Sequence, residues 1–312
     1  MDPRNDFCFK ALMSDEIVRR GFIAAVLGMD EEEAEGSILL PTQLEREWEQ
    51  DKLGVLDILV KQRDGTRINL EIQVIMQGVW PERTVFYSGK VFARQLKKGE
   101  PYEKLNKFIH IGILNFKLYP DSREYFSRFF LMDSKEHKLY TEKLEICILE
   151  LPKVKECFCP ESEVWQWGIF FNGDEEEKKM AAGKNKSIAE AYKELVRMSA
   201  DEEKQLEYEA REMLMRDHIS FLYSAEKKGR NEGRKEGKLE GEQRKIISFV
   251  IKMIRKGYSK EKITEILEES PELIGHIYDC YERNTGLSED EIYRILGNYR
   301  IVDNYAEIKF PV

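Results

Sequence analysis

The stretch whose reading decides the fold is Leu53-Gly54-Val55-Leu56-Asp57-Ile58-Leu59-Val60-Lys61, then the polar tripeptide Arg63-Asp64-Gly65, then Thr66-Arg67-Ile68-Asn69-Leu70-Glu71-Ile72-Gln73-Val74-Ile75-Met76. Apolar residues occupy both alternations of the first run, the pattern of a strand buried on both faces of a sheet. The second run alternates: Ile68, Leu70, Ile72, Val74 and Met76 point one way, and Arg67, Asn69, Glu71 and Gln73 the other. Gly65 in a polar tripeptide marks a turn, so the two runs predict an antiparallel hairpin.

If the turn takes residues 63–65, Gln62 faces Thr66 and Asp57 faces Glu71, with their β-carbons about 5 Å apart. Gln73 then shares their face. A two-residue turn at Asp64-Gly65 would shift this pairing by one. Two carboxylates that close repel by about 3 kcal/mol at an effective dielectric of about 20. Arg67 or Lys61 is one source of compensation. A divalent cation is another, and hard oxygen ligands suit Mg²⁺ and leave positions for water and phosphate. The polar alternation of the second strand is equally the pattern of a face turned to solvent. Asp57 weighs against that plain reading, because a lone carboxylate among Val55, Leu56, Ile58, Leu59 and Val60 is costly to bury without a purpose.

Outward from the hairpin, residues 6–13 and 15–27 read as helices, the second stopped at Gly28, and an acidic run from Asp30 to Glu35 follows. Pro81 opens a helix with Val85, Phe86, Phe92 and Leu96 toward the sheet, ended by Gly99. Residues 108–116, 126–132 and 144–151 are further strands. The order predicts a mixed α/β domain over residues 1–172. Residues 173–245 form a charged helical linker, helical throughout 187–228. Within it Gly229, Gly233, Gly237 and Gly241 recur every fourth residue. Each costs about 0.5–1 kcal/mol relative to Ala in a helix, so this stretch is either a solvated connector or a helix that another backbone approaches, as in a homodimer. Residues 246–312 form a small helical domain with start signals at Ser259, Pro271 and Ser288 to Glu291. Its spacing is that of a helix-turn-helix, but Glu268, Glu269 and Glu272 would repel phosphates, which favours packing or association.

Composition narrows the function. With 42% apolar residues the chain can bury a sizeable core, and no segment approaches the roughly 20 apolar residues of a membrane span or resembles a signal peptide. A cytoplasmic protein without membrane association is expected. Cys8, Cys147, Cys157, Cys159 and Cys280 lack zinc spacing. The net charge of −9 argues against nonspecific coating of nucleic acid, so any DNA contact must use a local basic surface. The four histidines are scattered, and neither a Ser-His-Asp set nor a Gly-rich phosphate loop is present.

Several ordered motifs carry a resemblance: Asn5-Asp6-Phe7-Cys8-Phe9-Lys10, then Asp51-Lys52 with Asp57-Ile58, then Asn69-Leu70-Glu71-Ile72-Gln73, and Tyr87 followed by Gln95-Leu96-Lys97-Lys98-Gly99-Glu100 and Tyr102. Over residues 4–150 they resemble the Rpn family of recombination-promoting nucleases and transposases, within the PD-(D/E)XK nuclease superfamily. The Gly-Arg-x-Glu-Gly repeat fits the same family's carboxyl end. The resemblance implies a restriction-endonuclease-like mixed sheet flanked by helices, followed by an all-helical C-terminal region, and Mg²⁺-dependent cleavage of DNA, with Mn²⁺ as a substitute. Asp57 and Glu71 would bind the metal with the Ile72 backbone carbonyl, and Gln73 would stand where much of the superfamily has Lys. Asp6 would add an outer acidic ligand or cap its helix. Lys10, Lys52, Arg94, Gln95 and Lys97 are candidate DNA contacts, Arg94 to Lys98 being equally readable as a solvated helix end. Two rival functions stand beside the nuclease: a catalytically weak DNA-binding or regulatory relative, and a structural association protein acting through its helical tail.

Overall fold

A computed structural model describes residues 1–44, 54–76, 78–284 and 287–298. The chain forms two compact units, one of residues Met1–Ile219 and one beginning at Ser220.

In the first unit the helices α1 (Asp6–Ser14) and α2 (Glu16–Leu27) come first. The Asn5 side chain caps α1 by accepting from the Phe7 N–H, so the cap is Asn5 and not Asp6. Gly28 ends α2 at φ 67°, a left-handed conformation in which a Cβ would be strained. The strands are β1 (Ile38–Leu40), β2 (Gln43–Leu44), β3 (Gly54–Val55), β4 (Ile58–Lys61) and β5 (Arg67–Gln73). The helix α3 (Trp80–Ala93) follows, then β6 (Phe108–Leu114), β7 (Phe126–Met132) and β8 (Leu139–Glu150). Four helices come next: α4 (Leu151–Val154), α5 (Glu163–Asn172), α6 (Glu175–Lys184) and α7 (Lys186–Ser199).

Six strands form one mixed sheet in the order β1-β4-β5-β6-β8-β7, with β5, β6 and β8 parallel and the outer pairs antiparallel. This mixed sheet with flanking helices is the restriction-endonuclease-like α/β arrangement expected. Side-chain alternation divides it into two faces. Ile58, Val60, Ile68, Leu70 and Ile72 enter the main core with Phe9, Phe22 and Trp167 of the helices. Leu59 and Phe108 pack on the other face with Leu56 and Val91, the last from α3.

The predicted hairpin register holds: Lys61 pairs with Arg67 and Ile58 with Leu70, and the Gln62 N–H donates to the Thr66 carbonyl at 2.8 Å. The first strand, however, is not continuous. β3 pairs with β2 in a separate two-stranded sheet while β4 pairs with β1 and β5, so the chain changes sheets at Leu56 and bends at Asp57. The helix expected to reach Gly99 ends at Ala93, because a turn follows in which the Gln95 amide both donates to and accepts from the Asn106 main chain.

The first unit also runs past residue 172. Ala181, Ile188, Ala191, Leu195 and Met198 are buried in its core, and the last four recur at helical spacing within an otherwise charged helix. Residues 187–228 are not a single helix: α7 stops at Ser199, and the Asp201 carboxylate accepts from the Glu203 and Lys204 N–H groups at the start of α8 (Glu202–Arg255). Gly229, Gly233, Gly237 and Gly241 lie inside α8, and nothing among the described residues comes within 4 Å of where their Cβ atoms would be.

In the second unit Ile247, Val250 and Ile251 of α8 pack with Ile263 of α9 (Lys260–Leu267), Ile274 and Ile277 of α10 (Pro271–Arg283), and Ile292 and Leu296 of α11 (Glu289–Asn298). Ser259 caps α9, Pro271 stands in the first turn of α10, and Ser288 and Glu291 bond reciprocally before α11. No helix among the described residues is long and apolar enough to cross a membrane.

Candidate metal centre

The site lies where the β4–β5 ladder stops. Its last pair is Ile58 with Leu70, and continuing the register sets Asp57 opposite Glu71. On β5 the residues alternate in bonding direction as well as in side chain: Arg67 donates toward β6, and the Gln73 carbonyl accepts from Asn115 on that side. Ile72 therefore directs its N–H and carbonyl toward β4, beyond the last pair. The bend takes Leu56 away, since its N–H donates to the Thr42 carbonyl. In place of a ladder bond, the Ile72 N–H donates to Asp57 Oδ2 at 3.2 Å. The broken strand thus presents a carboxylate and a main-chain carbonyl side by side.

Glu71 does not face solvent. It is only 5% exposed on the face beneath α3, next to Asn69 at 1%. Gly112 of β6 lies opposite Glu71, and Trp80, from the first turn of α3, fills the space where a Gly112 Cβ would come within 2.6 Å of its ring. Buried His110 sits opposite Asn69, with its Nδ1 3.0 Å from the Asn69 amide nitrogen and its ring edge-on to Trp80. With the Asn69 amide in this orientation its nitrogen donates, Nδ1 accepts and the ring proton lies on Nε2. Burial first, and the Arg83 charge second, lower the His110 pKa to about 3, so this imidazole is neutral.

Each carboxylate has a cationic neighbour, and neither neighbour is the one expected. Arg83 Nη1 lies 3.0 Å from Glu71 Oε1 and donates to Gln73 Oε1 at 3.3 Å, while its guanidinium sits 5.4 Å from the centre of the Tyr87 ring. Lys10 Nζ lies 3.5 Å from Asp57 Oδ1 and 3.4 Å from Asp6 Oδ2. Arg67 and Lys61, the cations suggested by the hairpin, do not take this role; they pair with each other at the turn end of β4 and β5, four residues along each strand from Glu71 and Asp57.

These cations do not restore ordinary acidity. Burial pushes the Asp57 carboxyl above the usual carboxylate range despite Lys10 and the Ile72 N–H. Burial likewise raises Glu71; Arg83 offsets this only in part, and Asp57 adds to it. Two desolvated, incompletely compensated carboxyls beside a main-chain carbonyl form a hard-oxygen donor set that fits a divalent cation of the Mg²⁺ or Mn²⁺ kind. Among the described residues no group of three or more His, Cys, Asp or Glu could hold a metal, so a third protein ligand would come from the main chain.

The remaining candidates are distributed unevenly. Asp6 joins the site through Lys10 and also lies 3.5 Å from Arg211 Nη1. The Gln73 amide is engaged at both ends, accepting from Arg83 and donating to the Ile75 carbonyl at 3.0 Å. Gln95 braces Asn106, Arg94 caps α3, and the Lys97 N–H donates to Glu100 in the following turn. Lys52 lies outside the described residues. Sequence reasoning missed Arg83 and the Asn69–His110 pair. The signal for Arg83 was its place in the first turn after Pro81, on a helix already directed at the sheet.

A family model described as "PD-(D/E)XK nuclease family transposase" matches residues 3–225, which include all of these site residues. No curated protein and no solved structure matches the chain.

Proposed function

Since this chain belongs to the PD-(D/E)XK nuclease family transposases, we propose that Asp57, Glu71 and the Ile72 carbonyl hold Mg²⁺, with Mn²⁺ as a substitute, and that the protein is a DNA endonuclease serving recombination or mobile elements. The observation that supports this reading is the position of Asp57 and Glu71 just beyond the last β4–β5 pair, where the continued register sets them opposite, with both carboxyls held above their ordinary range. A divalent cation, when bound, supplies Lewis acidity toward the phosphate and acidifies water near neutral pH. Hydrolysis joins the oxygen of water to phosphorus and breaks one ester P–O bond; one proton ends on the departing hydroxyl and the other goes to solvent.

The chain's own residues orient this chemistry. The Ile72 N–H fixes the Asp57 carboxylate, and α3 and Trp80 cover Glu71 and keep water from its inner side. Gln73 is neutral and cannot stabilise an anion as a lysine would, so its amide acts as a strut between Arg83 and the Ile75 carbonyl. Asp6 stands as an outer carboxylate, reached through Lys10. Lys10, Arg94 and Lys97 are the cations offered for phosphate contacts, each sequence-independent in character.

The test is nicking of supercoiled plasmid in Mg²⁺ by the wild type, Asp57→Ala and Glu71→Ala. The wild type nicks, and both variants lose activity on the order of 10³-fold. Nicking that persists in both variants would sink the assigned site. DNA binding without nicking by the wild type would favour the catalytically weak relative, a reading to which the doubly engaged Gln73 amide lends support.

A further inference from the structure

We infer that Arg83 is the phosphate-gripping cation of this site, holding Glu71 until a divalent cation takes that carboxylate and then turning its guanidinium to the scissile phosphate. The inference rests on the metal-site reading above. It begins from the position of one nitrogen: Arg83 Nη1 is 3.0 Å from Glu71 Oε1 and 3.3 Å from Gln73 Oε1, so a single guanidinium bridges both residues of the Glu-x-Gln motif. Gln73 brings no charge to that motif. Arg83, from the start of α3, brings one to the same spot.

Charge counting gives this position its consequence. Asp6, Asp57 and Glu71 are three anions, and Lys10, Arg83 and Arg211 are three cations, so the six side chains sum to zero. A divalent cation bound between the carboxylates would make the sum +2. A phosphodiester carries −1 and gains charge, toward about −2, as water adds to phosphorus. The site with its metal is therefore matched to the charge of the transition state. It reaches that match only because Arg83 remains beside Glu71 after losing its claim on it.

Exposure and geometry agree. The Arg83 side chain is 31% exposed whereas the Glu71 side chain is 7% exposed, so the cation lies on the solvent side, where substrate must approach. Tyr87, one turn further along α3, supports the guanidinium through its ring face. A guanidinium presents five N–H donors in a planar fork that suits two phosphate oxygens, which an ammonium does not.

The experiment measures Mn²⁺ affinity by the electron paramagnetic resonance of free Mn²⁺, together with plasmid nicking, for wild type, Arg83→Ala, Arg83→Lys and the control Asp57→Ala. Arg83→Ala is expected to bind Mn²⁺ about threefold tighter or more, because the cation competing for Glu71 is gone. Its kcat should fall about 100-fold or more with little change in KM. Arg83→Lys should recover part of the kcat. If Arg83→Ala equals the wild type in nicking while Asp57→Ala binds no Mn²⁺, the inference fails and the metal site stands. If Arg83→Ala loses Mn²⁺ binding and its wild-type unfolding midpoint together, Arg83 is structural and the inference also fails. If Asp57→Ala binds Mn²⁺ as tightly as wild type, the metal-site reading falls and takes the inference with it.

Discussion

Two acidic residues of the same sheet, Glu71 on β5 and Glu145 on β8, are both buried and differ in what surrounds them. Glu145, 0% exposed, receives Lys107 at 2.6 Å and Arg128 at 2.6 Å, one cation on each oxygen. Burial pushes its pKa up, but the hydrogen bonds and charges of Lys107 and Arg128 outweigh burial and hold it below the ordinary carboxylate range. Glu71 receives one arginine, shares its face with a second carboxylate, and is held above that range. A buried acid that only supports the fold is fully compensated. Glu71 keeps a deficit of positive charge that Glu145 lacks, as the metal-binding role proposed for it requires.

The comparison can be broken most directly by removing the carboxylates. Glu71→Ala or Asp57→Ala should abolish cation binding in a calorimetric titration, with the loss of nicking on the order of 10³-fold already given. Neutralising each acid in place comes next. Glu145→Gln strands two cations around a buried amide and should cost about 3 kcal/mol in urea unfolding. Glu71→Gln should stay within about 1 kcal/mol of wild type or exceed it, because the charge it removes was costly to bury. Equal losses in the two variants would erase the distinction.

A smaller effect is expected from Gly112→Ala. Its Cβ meets Trp80 at 2.6 Å, so the ring and the start of α3 must shift, at about 1–3 kcal/mol and with a change in tryptophan fluorescence.

The two acids should also respond to pH with opposite signs. Glu145, with its pKa depressed, contributes stability above the ordinary carboxylate pKa and loses it as pH falls through its lower folded value. Glu71 and Asp57, with raised pKa values, bind more protons folded than unfolded, so their contribution is present at low pH and declines as pH rises through their folded values. Cation binding requires the same deprotonation, so affinity should fall as pH is lowered through the range above ordinary carboxylates. Calorimetry in buffers of different ionisation enthalpy should register proton release. The smallest effect is expected from Lys10→Met, within about 0.5 kcal/mol, since that half-exposed ammonium lies 3.5 Å from Asp57.

Much of this arrangement is legible in the sequence. The polar turn ending in Gly65, which stands at φ 91°, fixed the hairpin register and hence the opposition of Asp57 and Glu71. The capping signals of the C-terminal helices were equally readable, because caps are local chemistry. The bend at Asp57 was not, since an apolar run does not reveal that its two halves pair in different sheets. Arg83 and Lys10 reach the carboxylates from separate helices, and spacing within the hairpin carries no record of those two ion pairs. The helicity of α7 was legible but its place in the core of the first unit was not: abundant Lys and Glu masked Ile188, Ala191, Leu195 and Met198, a stripe that a count at helical spacing would have found.

The ladder that ends at Ile58 and Leu70 has a consequence for heredity. What it leaves without a ladder donor at position 72 is a carbonyl, and every amino-acid residue carries one. Variation at that codon can alter how the strand packs into the core, yet it cannot delete the acceptor. Proline alone would strike the local geometry directly, by removing the N–H that Asp57 accepts. One of the three ligands proposed for a cation is thus supplied by the main chain, and side-chain substitution can remove only the two carboxylates.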